Sequence, residues 1–284
     1  MTVPFRKYHG TGNDFAVVRP EDLPASRRQF AIEWCGEYDA DGVLVLDLDT
    51  DADPARIGFR LYQPDGSTAA MCGNGARIAA RWGMEQTGEH SFVLSTPAGE
   101  RPATVHDDGS VTVTMGTPTF DPASVPLDRE EPMIEEPLEG FDVTAVNSGV
   151  PHAVSFVEDV DGIDITEEAP PIRHAEVFPE GANATFATRR SDGSFRQRTF
   201  ERGVEGETQS CGTGAVAIVA VADRLSLVDG SERVDVHPPG GTLIVTATSE
   251  EAATLRGPTA FEFEGTFEFD PRGEESRSDD PDST

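Results

Sequence analysis

Two cysteines open matching segments in the two halves of the chain: Met71-Cys72-Gly73-Asn74-Gly75-Ala76-Arg77 and Ser210-Cys211-Gly212-Thr213-Gly214-Ala215. Each sets a thiol, then Gly-polar-Gly-Ala, at the mouth of a small-residue apolar helix. Glycine lets a backbone approach a ligand closely, and a helix start offers unpaired N–H groups and the positive end of a dipole. A cysteine placed there is expected to have a lowered pKa, so that some thiolate exists near neutrality. Each segment is therefore an anion cradle with a base beside it. Taken singly, either could be a structural cysteine beside a tight turn. As a pair they point to a duplicated domain in which two thiols share one site.

Other chemistries find little support. Lys7 is the one lysine, six residues from the N-terminus, so a Schiff base to pyridoxal has a single unpromising anchor. No G-x-G-x-x-G follows a strand, which leaves nicotinamide binding unsupported. Three cysteines without C-x-x-C fit neither a disulfide framework nor a zinc site. No cofactor and no metal are therefore expected. Cys35 lies outside any motif and reads as a buried small hydrophobe. The N-terminus lacks an apolar signal core, and the apolar run at 215–222 is too short to span a membrane. A cytoplasmic protein is expected.

The elements that must hold the thiols are mostly strands. Runs at 42–48, 57–62 and 110–115 are bounded by Asp, Gly and Pro; the second half repeats them at 143–146, 153–157, 184–187, 195–200, 233–236 and 242–246. Helices are predicted over 28–34, over 73–82 and after Cys211. A helix apolar on nearly every face must be wrapped by sheet. The Pro-rich, acidic stretch 116–140 reads as the crossing between halves. The expected division is 1–116, completed by a strand near 260–269, then 117–259, then a disordered acidic tail over 270–284.

Around the thiols lie further motifs: Lys7-Tyr8-His9-Gly10-Thr11-Gly12-Asn13-Asp14-Phe15, Pro64-Asp65-Gly66-Ser67, Asn147-Ser148-Gly149-Val150-Pro151-His152, Pro179-Glu180-Gly181-Ala182-Asn183 and Glu201-Arg202-Gly203. In this order, over roughly residues 8–267, the combination closely resembles diaminopimelate epimerase, a family of cofactor-independent amino-acid racemases. The resemblance implies an α/β (α+β) fold of two similar domains, each a curled mixed sheet around a central helix, with the site in the cleft between them. It also implies a thiolate and a thiol, Cys72 and Cys211, on opposite faces of a substrate α-carbon. The residues agree: inverting a stereocentre without a cofactor needs a base on one face and an acid on the other, and Cys titrates near 8.5. N–H groups of Gly73, Asn74, Gly212 and Thr213 would stabilise charge developing on the carboxylate.

By the same resemblance, Glu201 is expected at the substrate ammonium, Arg202 at a distal carboxylate, and Asn13 and Asn183 at further substrate contacts. His152 is expected to be structural or to support these groups. Two positions depart from the family. Gln63 stands where Asn is usual, and Val150 stands where Asn precedes Pro-His. Both asparagines help hold the distal end of the substrate, so the racemising machinery is better supported than the substrate. LL-diaminopimelate is the expected substrate, with another polar amino acid such as ornithine or histidine as alternative. The residues also leave open a binding protein without catalysis and a Cys–His acyl transferase built on Cys211 and His152. The partner is a small amino acid, with a homodimer open as the oligomeric form.

Charge is the remaining global feature: 22 basic against 52 acidic residues, net −30. This disfavours nucleic acid and anionic membranes as partners. It fits an acidic surface suited to high intracellular salt, where screening removes self-repulsion. The thermal midpoint is expected to rise between low and molar KCl in a calorimetric or fluorescence melt; a steady fall would contradict the screening account.

Overall fold

A computed structural model of the chain describes residues 1–271. Its strands pair in the same sequence twice. In the first half Thr2–Gly10 pairs antiparallel with Asn13–Val18, which runs parallel to Gly42–Asp49, which pairs antiparallel with Ala55–Tyr62. Ala55–Tyr62 runs parallel to Ser91–Thr96, and a meander through Gly99–Val105 and Val111–Gly116 follows. In the second half the order antiparallel, parallel, antiparallel, parallel, meander recurs through Phe141–Asn147, Pro151–Phe156, Asn183–Arg189, Phe195–Glu201, Val234–His237, Leu243–Thr246 and Ala253–Gly257. The two meanders join edge to edge, Val111–Gly116 against Ala253–Gly257. The final strand, Ala260–Glu268, crosses back to pair with Thr2–Gly10.

Each parallel step needs a crossover, and each crossover carries a helix: α1 (Arg27–Tyr38), α2 (Gly73–Thr87), α3 (Ile165–Arg173) and α4 (Gly212–Arg224). Strand alternation sorts them into layers. Leu44 and Leu46 face the central core with α2, whereas Val43 and Val45 face a flanking cluster built on Phe30, Trp34 and Cys35 of α1. Likewise Val154 and Ala187 join the central core, while Ala153, Ala184 and Phe186 pack on Ile165, Ala169 and Ile172 of α3. The central core contains both α2 and α4. From Gly214 to Ala222 every residue of α4 is buried.

Several elements exceed what the sequence announces. Helix α2 continues past 82 to Thr87, because Gly83 is there for packing: a Cβ would come within 2.6 Å of Ile57 and 2.9 Å of the Phe92 ring. The chain stops at Gly88, at φ 79°, whose N–H caps the Met84 carbonyl. Helix α1 likewise runs beyond 34 to Tyr38. Helix α3 is unannounced, since Pro170 and Pro171 lie inside it; Asp164 starts it by accepting the Thr166 N–H. Strands at Thr2–Gly10, Ser91–Thr96 and Ala253–Gly257 are further additions. The tail expected over 270–284 lies, beyond Pro271, outside the described residues.

Gly240 ties the two loops that border the thiols. Its N–H donates to the Gln209 carbonyl at 2.7 Å, and a Cβ would lie 2.0 Å from the Thr11 carbonyl oxygen and 2.9 Å from that of Gln209. Backbone oxygens cannot swing aside as side chains do. Gly240→Ala is expected to cost about 1–3 kcal/mol of stability through overpacking, read by urea unfolding. An unchanged midpoint would show that the loops part freely.

Candidate active site

Both thiols cap helices. Cys72, with extended backbone at φ −142°, precedes α2 and accepts the Gly75 N–H at 3.5 Å; Cys211, at φ −105°, precedes α4 and accepts the Gly214 N–H at 3.4 Å. The two helix starts abut. A Cβ on Gly73 would lie 3.8 Å from Gly212 Cα, one on Gly212 would lie 3.7 Å from Gly73 Cα, and both would press on Leu255 at 2.9 and 2.8 Å. First-turn N–H groups of Gly73, Asn74, Gly212 and Thr213 have no partner within their helices. They belong to two positive dipole ends at one place.

Beneath the helix starts runs a buried polar layer. Asn74 Nδ2 donates to Asn13 Oδ1 and, at 3.1 Å, to the Ser210 carbonyl. Thr11 Oγ1 donates to Ser210 Oγ at 2.8 Å. Arg77, wholly buried on α2, donates to Asn74 Oδ1 at 2.8 Å and to Thr11 Oγ1 at 2.9 Å. Gln197 Nε2 donates to the Cys211 carbonyl at 3.0 Å. Thr11, Ser210 and Arg77 all sit inside the quoted motifs, but nothing in residue type alone marks them as one layer. The signal for Arg77 was its place one turn into the helix that Cys72 opens, where the second copy has Val216.

A second chain of contacts leads from Cys211. Its Sγ is 3.4 Å from Thr213 Oγ1, which is 3.0 Å from His152 Nε2; His152 Nδ1 is 2.9 Å from Thr185 Oγ1. Asn183 Nδ2 lies 3.3 Å from His152 Nε2, and its Oδ1 accepts the Arg202 N–H at 2.7 Å. Arg202 Nη1 donates to the carbonyls of Glu180 at 3.2 Å and Gly181 at 3.3 Å. Glu201 accepts from Thr208 Oγ1, and its charge bears on the Cys211 thiol. One site thus collects Cys72, Cys211, Gly73, Gly212, Asn74, Asn13, Thr213, Asn183, Glu201 and Arg202. Gln63 Nε2 donates to Ser67 Oγ at 2.7 Å, inside its own turn. Lys7 is held by Asp14 and Glu262 at 2.6 and 2.7 Å.

The electrostatics correct one expectation. Neither thiol is acidified. Burial pushes Cys72 up, and the Gly75 N–H bond does not offset it; burial and then the Glu201 charge push Cys211 well up. Desolvation of the charged form outweighs the helix starts here. Glu201 is itself raised by burial, against the bond from Thr208. His152 is pushed down to about 3 by burial and then by the Arg202 charge, so its imidazole is neutral.

A depressed imidazole makes stability depend on pH with a definite sign. Below about pH 6.5 the unfolded chain takes up a proton that folded His152 refuses until about pH 3. Its contribution is present above pH 6.5 and is lost as pH falls through that window. Wild-type unfolding free energy is expected to drop relative to His152→Gln as pH falls, by on the order of a few kcal/mol. Parallel curves for the two proteins would show that His152 ionises freely in the fold.

Comparison with known proteins matches these features to a family. The model of the family described as diaminopimelate epimerase matches residues 5–120 and 144–261. A diaminopimelate epimerase of Methanothrix thermoacetophila is 44% identical, over 89% of this chain and 92% of its own. One of Methanocella arvoryzae is 39% identical, over 94% and 98%. Among solved structures, a PhzF-family phenazine biosynthesis protein of Bacillus anthracis superposes with TM-score 0.66 at 15% identity, over 95% of this chain and 100% of its own. A hydroxyproline epimerase of Agrobacterium vitis does so with 0.61 at 19%, over 96% and 93%. Those two likenesses are of fold, the α/β architecture of two similar domains; by family model and by sequence, the chain belongs to the diaminopimelate epimerase family.

Proposed function

We propose that the chain epimerises LL-2,6-diaminopimelate to the meso form, in lysine biosynthesis, by a two-base mechanism that needs no cofactor. The observation that carries this reading is the pair of thiols at abutting helix N-termini. The α-carboxylate sits on the N–H groups of Gly73, Asn74, Gly212 and Thr213, and the α-ammonium faces Glu201. One sulfur, as thiolate, removes the α-proton and becomes a thiol; the other thiol protonates the opposite face and becomes a thiolate. Turnover thereby exchanges the two protonation states. Carbanion charge spreads onto the carboxylate, where preorganised donors stabilise it.

Burial raises both thiols, so the substrate itself has to favour the thiolate. An ammonium group arriving beside Glu201 brings the positive charge that favours thiolate, and closure over substrate excludes water. Neutral His152 orients Thr213 beside Cys211, and Asn183 fixes the Arg202 backbone. With Nη1 held by two carbonyls, the rest of the Arg202 fork takes the distal carboxylate. We divide the chain as 1–116 with 260–269, and 117–259, on the strength of the repeated strand pairing. We assign it to the cytoplasm, where its three free thiols stay reduced, and read its acidic composition as adaptation to salt.

Gln63 within its own turn and the apolar Val150 keep a second substrate in view, an ornithine- or histidine-like amino acid. The test is a substrate panel followed by chiral chromatography in D2O. Diaminopimelate is expected to be the best substrate, with deuterium entering mainly the epimerised product early on. Cys72→Ala and Cys211→Ala are each expected to lose about 10²–10⁴-fold in turnover. Near-normal turnover in either variant would overturn the two-base assignment, and faster inversion of ornithine or histidine would replace the substrate.

A further inference from the structure

Arg77 is fully buried, yet none of the ion pairs among the described residues reaches it. Its guanidinium bonds only to neutral oxygens: Thr11 Oγ1, Asn74 Oδ1 and, at 3.4 Å, the Gly73 carbonyl. Nε has no partner. A buried cation without a counter-ion is costly and is retained where something compensates it. The fold also makes room for it. A Cβ on Gly257 would come within 3.1 Å of Arg77 Nε, and one on Gly10 within 3.5 Å of Nη2, though neither glycine has a positive φ. The repeat makes the charge singular: Cys72-Gly73-Asn74-Gly75-Ala76-Arg77 corresponds to Cys211-Gly212-Thr213-Gly214-Ala215-Val216. Two anion cradles abut, and one guanidinium stands behind them.

We propose that Arg77 is a positioning residue of the epimerase reaction, a guanidinium sealed behind the α2 cradle whose counter-ion is the negative charge the site binds and forms. It acts through other groups. By accepting Arg77 at Oδ1, the Asn74 amide turns Nδ2 toward Asn13 and Ser210, so the α2 start is locked to the segment that leads into α4. Its charge favours the anionic states of that start: the Cys72 thiolate, the α-carboxylate and the carbanion derived from it. Glu201, from the strand Phe195–Glu201, is the other charged group bearing on Cys72 and acts in the opposite sense. Gly10, Thr11 and Gly257, which meet Arg77 from neighbouring strands and turns, do not titrate. Burial lowers Arg77 itself to about 10, so it is charged at neutral pH.

The proposal rests on the two-thiol reading of the site, and its test separates the two. Arg77→Lys, Arg77→Gln and Arg77→Met are compared by iodoacetamide labelling of Cys72 across about pH 6 to 10, in a Cys211→Ser background, with labelled peptides resolved by mass spectrometry. No turnover is involved, so this readout stands even if the protein inverts no amino acid. The labelling midpoint is expected to stay near wild type in Arg77→Lys and to move up in Arg77→Gln and Arg77→Met. With both thiols intact, kcat is expected to fall about 10–100-fold in the neutral variants, in line with groups that act through a neighbour. KM should change less than kcat, and Arg77→Lys should recover most of the activity. Should Arg77→Met fail to fold, the Lys and Gln variants, both hydrogen-bond donors, carry the comparison. An unmoved midpoint in the neutral variants, or a kcat loss as large in Arg77→Lys as in Arg77→Gln, overturns the proposal.

Discussion

Everything in this molecule answers to one constraint: two helices must meet start to start. Like dipole ends repel, and unpaired N–H groups in a buried place are costly, so such a meeting is stable only when imposed by packing or neutralised by an anion. Packing imposes it here. Helices α2 and α4 share one apolar core, and Val111–Gly116 zips to Ala253–Gly257 directly behind Gly73 and Gly212, where Leu255 leaves room for no side chain at either glycine. An anion at the junction would satisfy both helix starts, the part that the proposed reaction gives to the substrate carboxylate.

The same enclosure sets the state of the sulfurs. Helix starts and N–H bonds favour a thiolate, while removal from water disfavours it, and removal wins for both Cys72 and Cys211. The burial that would shield a carbanion from water also disfavours a thiolate. Charge has to be supplied from outside the pair of cysteines. In the proposed reaction the substrate ammonium is one source, and the Arg77 guanidinium in the wall is the other.

Much of this was legible in the sequence because the chemistry is written in local motifs. Cys-Gly-polar-Gly-Ala states a cap, a close approach and a helix together, and both copies form what they state. Strands such as Gly42–Asp49 were visible through their apolar runs. What was not legible depends on distant partners. Gly83 looks like a helix breaker and is a packing contact; Pro170 and Pro171 look like loop residues and sit inside α3. Helix-start acidification of the thiols was a local argument overruled by global burial. Gln63 lies in the turn ahead of the first cysteine motif and its side chain bonds to Ser67, a choice of rotamer that spacing does not encode.

Duplication and its imperfections serve different purposes. Inverting a tetrahedral carbon asks for equivalent groups on opposite faces, and a repeated strand–helix unit provides two thiols in equivalent settings at almost no cost in new structure. In the proposed two-base reaction equivalence cannot be complete, since at any moment one sulfur is a thiolate and the other a thiol. The repeats differ where that distinction can be made. Arg77 lies behind Cys72 where the second repeat has Val216, and Glu201 lies beside Cys211 at the end of a strand whose counterpart, Ala55–Tyr62, ends in a buried tyrosine. One cation and one anion, each contributed by a single repeat, make two matched cysteines electrically unequal while leaving their geometry alike.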